Sequence, residues 1–183
     1  SASATATAAL LLRSGVTDPS GTTGNALRIH PAVIAAGEFE APVRAWEGIP
    51  QSYECTEFLN LDDDRAHRAW LLPAFAHPVG TATFVPGHGE AHRKVMERYG
   101  HLAVFTAMIH DLTAGRVRPD GDLGLRIDYW PDAADRAELA LGLWGCAKLL
   151  VAAGAQSVLV PTAQPRRFLP GDDLEGLKTL EIN

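Results

Sequence analysis

Apolar positions along this chain change their spacing several times, and each change predicts an element. Ala4 to Leu12 is a run of Ala and Leu closed by Arg13, Ser14 and Gly15, a basic last turn with a glycine stop, so a short helix is expected there. Residues 16–25, VTDPSGTTGN, are loop-forming. From Pro31 the stretch AVIAAGEFE suits a strand, and APVRAWEGIPQ then interrupts it with two prolines. A second strand is predicted over Ser52–Leu59 and a third over Trp70–Phe75. Between them LDDDRAHR reads as a solvated loop, because its three adjacent carboxylates repel one another. GHGEAHRKVMERYG, from Gly87 to Gly100, has Val95, Met96 and Tyr99 as a modest apolar stripe and predicts a surface helix.

The second half carries the stronger periodicities. HLAVFTAMIHD is apolar enough for a central strand, AGRVRPDGDLG gives a short strand and a turn, and LRIDYW alternates with period two, so three antiparallel strands are expected in succession. PDAADRAELALGLWGCAKLLVAAGA reads as a helix, with Pro131 and Asp132 near its start, Asp135 and Glu138 in its early turns, Lys148 late and Gly154 at its stop. Its stripe of Leu139, Leu143, Trp144, Ala147, Leu150 and Val151 must be buried on a sheet. SVLVP is a last strand, and the tail from Thr162 is loop with one helical turn around Leu174–Leu180. Strands outnumber helices and the helices stand apart from one another, which predicts an α+β fold: an antiparallel or mixed sheet backed by helices.

Composition narrows the function classes. A length of 183 residues with 46% hydrophobic content suits one globular domain with a proper core. A net charge of −6 and scattered Lys and Arg argue against nucleic acid and anionic membrane surfaces as partners. The apolar runs fall short of the roughly 20 residues that cross a bilayer, and the start of the chain lacks the pattern of a secretory leader, so a soluble, cytoplasmic protein is expected. Cys55 and Cys146 form no CxxC and read as packing residues.

Candidate chemistry is sparse. HGEAH spaces His88 and His92 as helix ligands would be, but Glu90 stands at the wrong offset for an HExxH zinc protease, and no metal site is expected. No GxSxG places a serine at a strand-to-helix elbow, and no GxGxxG follows a strand. HPVGT, from His77 to Thr81, could present a general base, although an isolated loop histidine is more often a surface residue.

A family resemblance takes the reading further. SATATAALLLRSGV, Ser3 to Val16, resembles the second signature of the glucose–methanol–choline (GMC) flavin oxidoreductases: Ser3, Ala4, Thr7, Leu10, Leu11, Ser14, Gly15 and Val16 fit, while Ala8 stands where the family has Pro or Ser and Thr17 where it has Gly. TTGNALRIHP is similar to the family's GxNLxDHP segment through Gly24, Asn25, Leu27, His30 and Pro31, with Ile29 in place of the acid. The stretch from Asp111 to Val158 looks like the family's substrate domain, closest to bacterial long-chain-alcohol and sterol oxidases. HPVGT matches the family's catalytic HPxGT, yet it continues as ATFVPG and precedes the long helix instead of following it, so it is read as a look-alike.

The resemblance implies that residues 1–30 end a flavin-binding domain and residues 31–183 form a substrate-binding domain. The catalytic histidine and most of the FAD site are then expected outside this chain, in a remaining segment or subunit. The parent reaction would take the hydroxyl proton of an alcohol onto a base while hydride passes to the flavin. Asn25 and His30 are the candidate flavin contacts. On HLAVFTAMIHD, alternation sets Ala103, Phe105, Ala107 and Ile109 on one side, to pack beneath the long helix, and Val104, Thr106, Met108 and His110 on the other. Val104, Thr106 and Met108 are the candidate contacts for a small hydrophobic alcohol. The rival reading is a non-catalytic binding module for a hydrophobic small molecule.

Overall fold

The computed structural model describes residues 3–49, 51–59, 67–162 and 164–182. The acidic run Asp62–Asp64 therefore lies outside the described residues. In chain order the elements are α1 (Ala4–Arg13), β1 (Ala32–Glu38), β2 (Ala69–Ala74), α2 (Pro78–Phe84), α3 (Gly89–Glu97), β3 (Leu102–Ile109), β4 (Arg116–Asp120), β5 (Gly124–Asp128), α4 (Ala133–Ala152), β6 (Ser157–Val160) and β7 (Arg166–Phe168), with a 3-10 turn over Glu175–Thr179. They fold into two compact units, one of Ser1–His30 with His110–Asp135, the other of Pro31–Ile109 with Arg136–Asn183.

The larger unit is built on a five-stranded sheet in the order β2-β3-β1-β6-β7, with every pairing antiparallel. Antiparallel partners share a face, so the registers sort the side chains. One face carries Ala35, Ala69, Leu71, Ala107, Ile109, Val158 and Val160, all buried. Against it lies α4 through Leu139, Leu143, Cys146, Ala147 and Leu150, completing the core. The fold is thus α+β with an antiparallel sheet packed against helices, and the side of β3 facing α4 is the uniformly apolar one.

Close approach of α4 to the sheet depends on glycine. A Cβ on Gly142 would stand 2.6 Å from Ala107 Cβ and 3.3 Å from Ala69 Cβ. The helix ends at Gly154, whose φ of 93° lies in the left-handed region that glycine enters without strain. At the far end of β1, Glu38 is held between Arg98 Nε at 2.8 Å and Arg167 Nη1 at 2.9 Å. The hydrogen bond from Arg98 does most to hold its carboxyl below the usual range.

Four expectations need correction. Ser52–Leu59 is no strand; its backbone meets β2 and the residue before it at the isolated bridges Cys55↔Leu71 and Leu59↔Arg68, without a continuous ladder. HPVGT is not loop: Pro78 occupies the first helical position, where its missing N–H costs nothing, and α2 begins there. The tail holds a short strand, β7, beside β6. Finally, β3 does not continue into β4 and β5, which form a separate two-stranded ribbon.

That ribbon belongs to the smaller unit, where α1 packs on β4. Arg13 reaches the ribbon's turn and donates to Gly124 O. Besides Ala9 and Val117, the unit buries two carboxylates. Asp135, fully buried, accepts from Leu112 N at 3.1 Å, Thr113 N at 2.9 Å and Thr113 Oγ1 at 2.6 Å. Asp111, also buried, accepts from Tyr129 Oη at 2.6 Å and Ile29 N at 3.1 Å. Burial first, and then this bond to a carboxylate, push the Tyr129 phenol well above its ordinary range.

Candidate functional site

Opposite α4, the second face of the sheet is covered only in part. It carries Leu102, Val104, Thr106 and Met108 from β3; pairing sets Ile34 beside Thr106, Ala36 beside Val104, Leu72 beside Thr106 and Trp70 beside Met108. Val104, Thr106 and Met108 are all half-buried, as are Ile34 and Trp70. The three residues singled out on β3 therefore stand in one row on one surface.

The row is not uniform. At one end Ile34, Ala36, Leu102, Val104 and Leu159 floor a cavity of about 30 Å³. Its roof is α2 and its cap, through Thr81, Phe84 and Val85. At the other end Trp70 Nε1 donates to Glu54 Oε2 at 3.0 Å, beside Met108. Between them the Thr106 hydroxyl donates to Val33 O at 3.2 Å. Its remaining lone pairs can accept a hydrogen bond; β3 itself, Leu102–Ile109, brings no carboxylate, histidine or cysteine to the row, and the Glu54 carboxylate stands on Trp70 at its end. Such a surface can receive an apolar body and exclude water.

Behind α2 the Tyr99 hydroxyl donates to Ala76 O, and the Tyr99 ring stacks on Trp46 at 4.7 Å between centroids. Burial raises the Tyr99 phenol above its ordinary value. His92 Nε2 lies 2.9 Å from Ala82 O, tying α3 to α2. His77 caps α2 with its backbone and is exposed, and His88 does the same for α3. Among the described residues no group of three or more His, Cys, Asp or Glu could hold a metal.

The remaining two candidates lie in the smaller unit. Asn25 sits in a turn where Gly24 has a φ of 71° and no space for a Cβ, which would meet Val117 O at 2.5 Å. Its carboxamide is committed at both ends: Nδ2 donates to Gly21 O at 2.6 Å and Oδ1 accepts from Arg118. Arg118 Nη1 also donates to Gly24 O at 2.8 Å. The same loop is pinned by Asp18, whose carboxylate takes the Ser20 hydroxyl at 2.5 Å and Thr23 N at 2.6 Å. Those bonds, the Ser20 one above all, hold it far below the usual carboxylate range. His30 is exposed. Asn25 is exposed and keeps a second amide N–H and a second lone pair beyond these two bonds.

Residue-level reading found β3 but missed α2, Trp70 and Ile34. His77-Pro78 was the available signal for α2, since proline at a first helical position is a start as well as a break. Nothing local could have paired Ile34 with Thr106.

By its sequence relatives the chain belongs to the GMC family of oxidoreductases. It is 37% identical over 173 residues to uncharacterized GMC-type oxidoreductases of two strains of Mycobacterium tuberculosis, an alignment that covers 92% of this chain and 26% of each relative. A long-chain-alcohol oxidase of Arabidopsis thaliana is 29% identical over 154 residues, or 80% of this chain and 20% of that protein. The chain thus spans about a quarter of the length of the mycobacterial relatives. No family model matches it. Among the described residues no helix is long and apolar enough to cross a membrane.

Proposed function

We propose that this chain is the substrate-binding portion of an FAD-dependent alcohol oxidoreductase acting on a long-chain or sterol alcohol. On this reading residues 1–30 end the flavin-binding domain, residues 31–183 form the substrate-binding domain, and most of the cofactor site and the catalytic histidine lie in polypeptide outside these 183 residues. One observation carries it: the half-covered sheet face with Val104, Thr106 and Met108 in a row, apolar at one end and rimmed by the Trp70–Glu54 hydrogen bond at the other. Its shape suits an amphiphile with a long apolar body, and its poverty in acid–base groups agrees with a wall that positions the substrate while chemistry is done from elsewhere. The alcohol named for the Arabidopsis relative points the same way.

Met108 lends the wall an adaptable thioether surface, and Thr106 can accept one hydrogen bond from a hydroxyl passing over it. Asn25 and His30, both exposed, are the chain's candidate contacts to the flavin. The test is reconstitution. The chain purified alone should be colourless and inactive, while co-expression with the remaining three quarters of a mycobacterial relative should give a yellow complex that oxidises 1-dodecanol. Flavin held by the chain alone, or full turnover by it, refutes the reading.

A further inference from the structure

The cavity under α2 offers a more specific role within that wall. We propose that it is a slot for the methyl end of the substrate's alkyl chain, gated by Phe84; this rests on the alcohol-binding reading above. The slot is floored by Ile34, Ala36, Leu102, Val104 and Leu159, so its floor has no polar side chain. On the roof the one polar side chain is Thr81. A ligand hydroxyl reaching the floor would lose its water and meet no polar side chain there, whereas a methyl group loses nothing.

About 30 Å³ of the slot is open to the centre of a water-sized sphere, so it admits a small apolar group such as a terminal methyl. Deeper entry depends on the roof, which α3 holds through His92 on Ala82 O but which is otherwise lightly packed. The helix α2 has seven residues, none of them buried, and no side-chain hydrogen bond at its N-cap. Phe84, its last residue, borders the slot yet is 64% exposed, so little packing fixes its ring. Val104 belongs both to the slot and to the row, so a chain seated with its methyl under Phe84 and laid along Thr106 toward Met108 would place its hydroxyl at the Trp70 end.

The test is methyl-resolved NMR titration of this chain with 1-octanol, 1-decanol and 1,8-octanediol. Octanol should shift the methyl signals of Ile34, Val104 and Leu159, and the diol, which must bury a second hydroxyl, should bind at least tenfold more weakly. Phe84→Ala should tighten decanol relative to octanol by about fourfold per methylene newly accommodated. Val104→Phe, which fills the slot from below, should weaken both alcohols at least tenfold; since Phe84 is exposed, Phe84→Ala keeps the test valid if the filled variant fails to fold. Equal binding of diol and octanol, or unchanged affinities in Phe84→Ala, overturns the slot. Octanol shifts at Met108 and Trp70 with the slot methyls unmoved overturn the slot and leave the alcohol-binding reading standing. No binding of either alcohol at saturation refutes both.

Discussion

Replacing Gly142 by alanine tests the closest contact in the larger unit. On an isolated helix the change would stabilise by about 1 kcal/mol, since glycine loses more backbone freedom than alanine. In this fold the new Cβ would stand 2.6 Å from Ala107 Cβ, more than 1 Å inside ordinary contact, and 3.3 Å from Ala69 Cβ. Ala69 and Ala107 are fully buried, and their Cβ atoms cannot rotate away from their own strands. Relief must come from separating α4 and the sheet, which opens gaps along Leu139, Leu143 and Leu150; overpacking of this kind costs about 1–3 kcal/mol, occasionally more. A contact this short takes the upper part of that range, so the net expectation is destabilisation by about 1–2 kcal/mol, read as a drop of roughly 0.5–1 M in urea midpoint for slopes of about 2 kcal/mol/M. Gly145→Ala is the control. Its Cβ meets Leu71 Cδ2 at 2.9 Å and Phe58 Cε2 at 3.0 Å, ends of side chains that can shift, so propensity and crowding should nearly cancel. In the double variant Gly142→Ala with Ala107→Gly the clash disappears, and the cycle should show a favourable coupling above about 1 kcal/mol. Urea unfolding of the wild type, the single variants Gly142→Ala, Gly145→Ala and Ala107→Gly, and the double variant, followed by circular dichroism, decides it. A Gly142→Ala chain as stable as Gly145→Ala would refute the close seating of α4 on β3.

In the smaller unit, Asp135→Ala removes the acceptor shared by Leu112 N, Thr113 N and Thr113 Oγ1, and should cost about 1–3 kcal/mol with faster amide exchange at both residues; unchanged exchange would count against the network. Burial, helped slightly by Cys55 nearby, pushes the Cys146 thiol from 9.0 up to about 12. Its raised folded value means that the stability it contributes is complete below pH 9.0 and is lost as pH rises toward about 12. Native protein at pH 8 should therefore leave Cys146 unalkylated by iodoacetamide, with mass spectrometry finding it modified only after denaturation; rapid native labelling would contradict its burial.

How much was legible follows from the range of the forces involved. The long helix α4 was readable because its stripe, its early acids and its glycine stop all act within a few turns. The alternation of β3 was readable for the same reason, and its apolar side does lie beneath α4. Residues 52–59 misled because strand-like composition does not supply a partner, and only isolated bridges form there. The stretch Pro78–Phe84 misled in the opposite sense, since a seven-residue helix with no buried residue leaves almost no periodic trace.

By itself, then, the order of residues determined which segments could bury a face and with what period, and it carried the family likeness in the Ser3–Val16 and Gly24–Pro31 stretches. Only the tertiary structure decided that β1 pairs with both β3 and β6, that β4 and β5 leave the sheet to meet α1, and that Asn25 spends its amide on Gly21 and Arg118. It alone brought Ile34, Phe84, Val104 and Leu159 around one slot. The physical reason is separation along the chain: capping and periodicity act between near neighbours, whereas strand pairing and cavity walls join residues as far as 127 positions apart, as Ile34 and Pro161 are, and no local pattern encodes which distant partner will arrive.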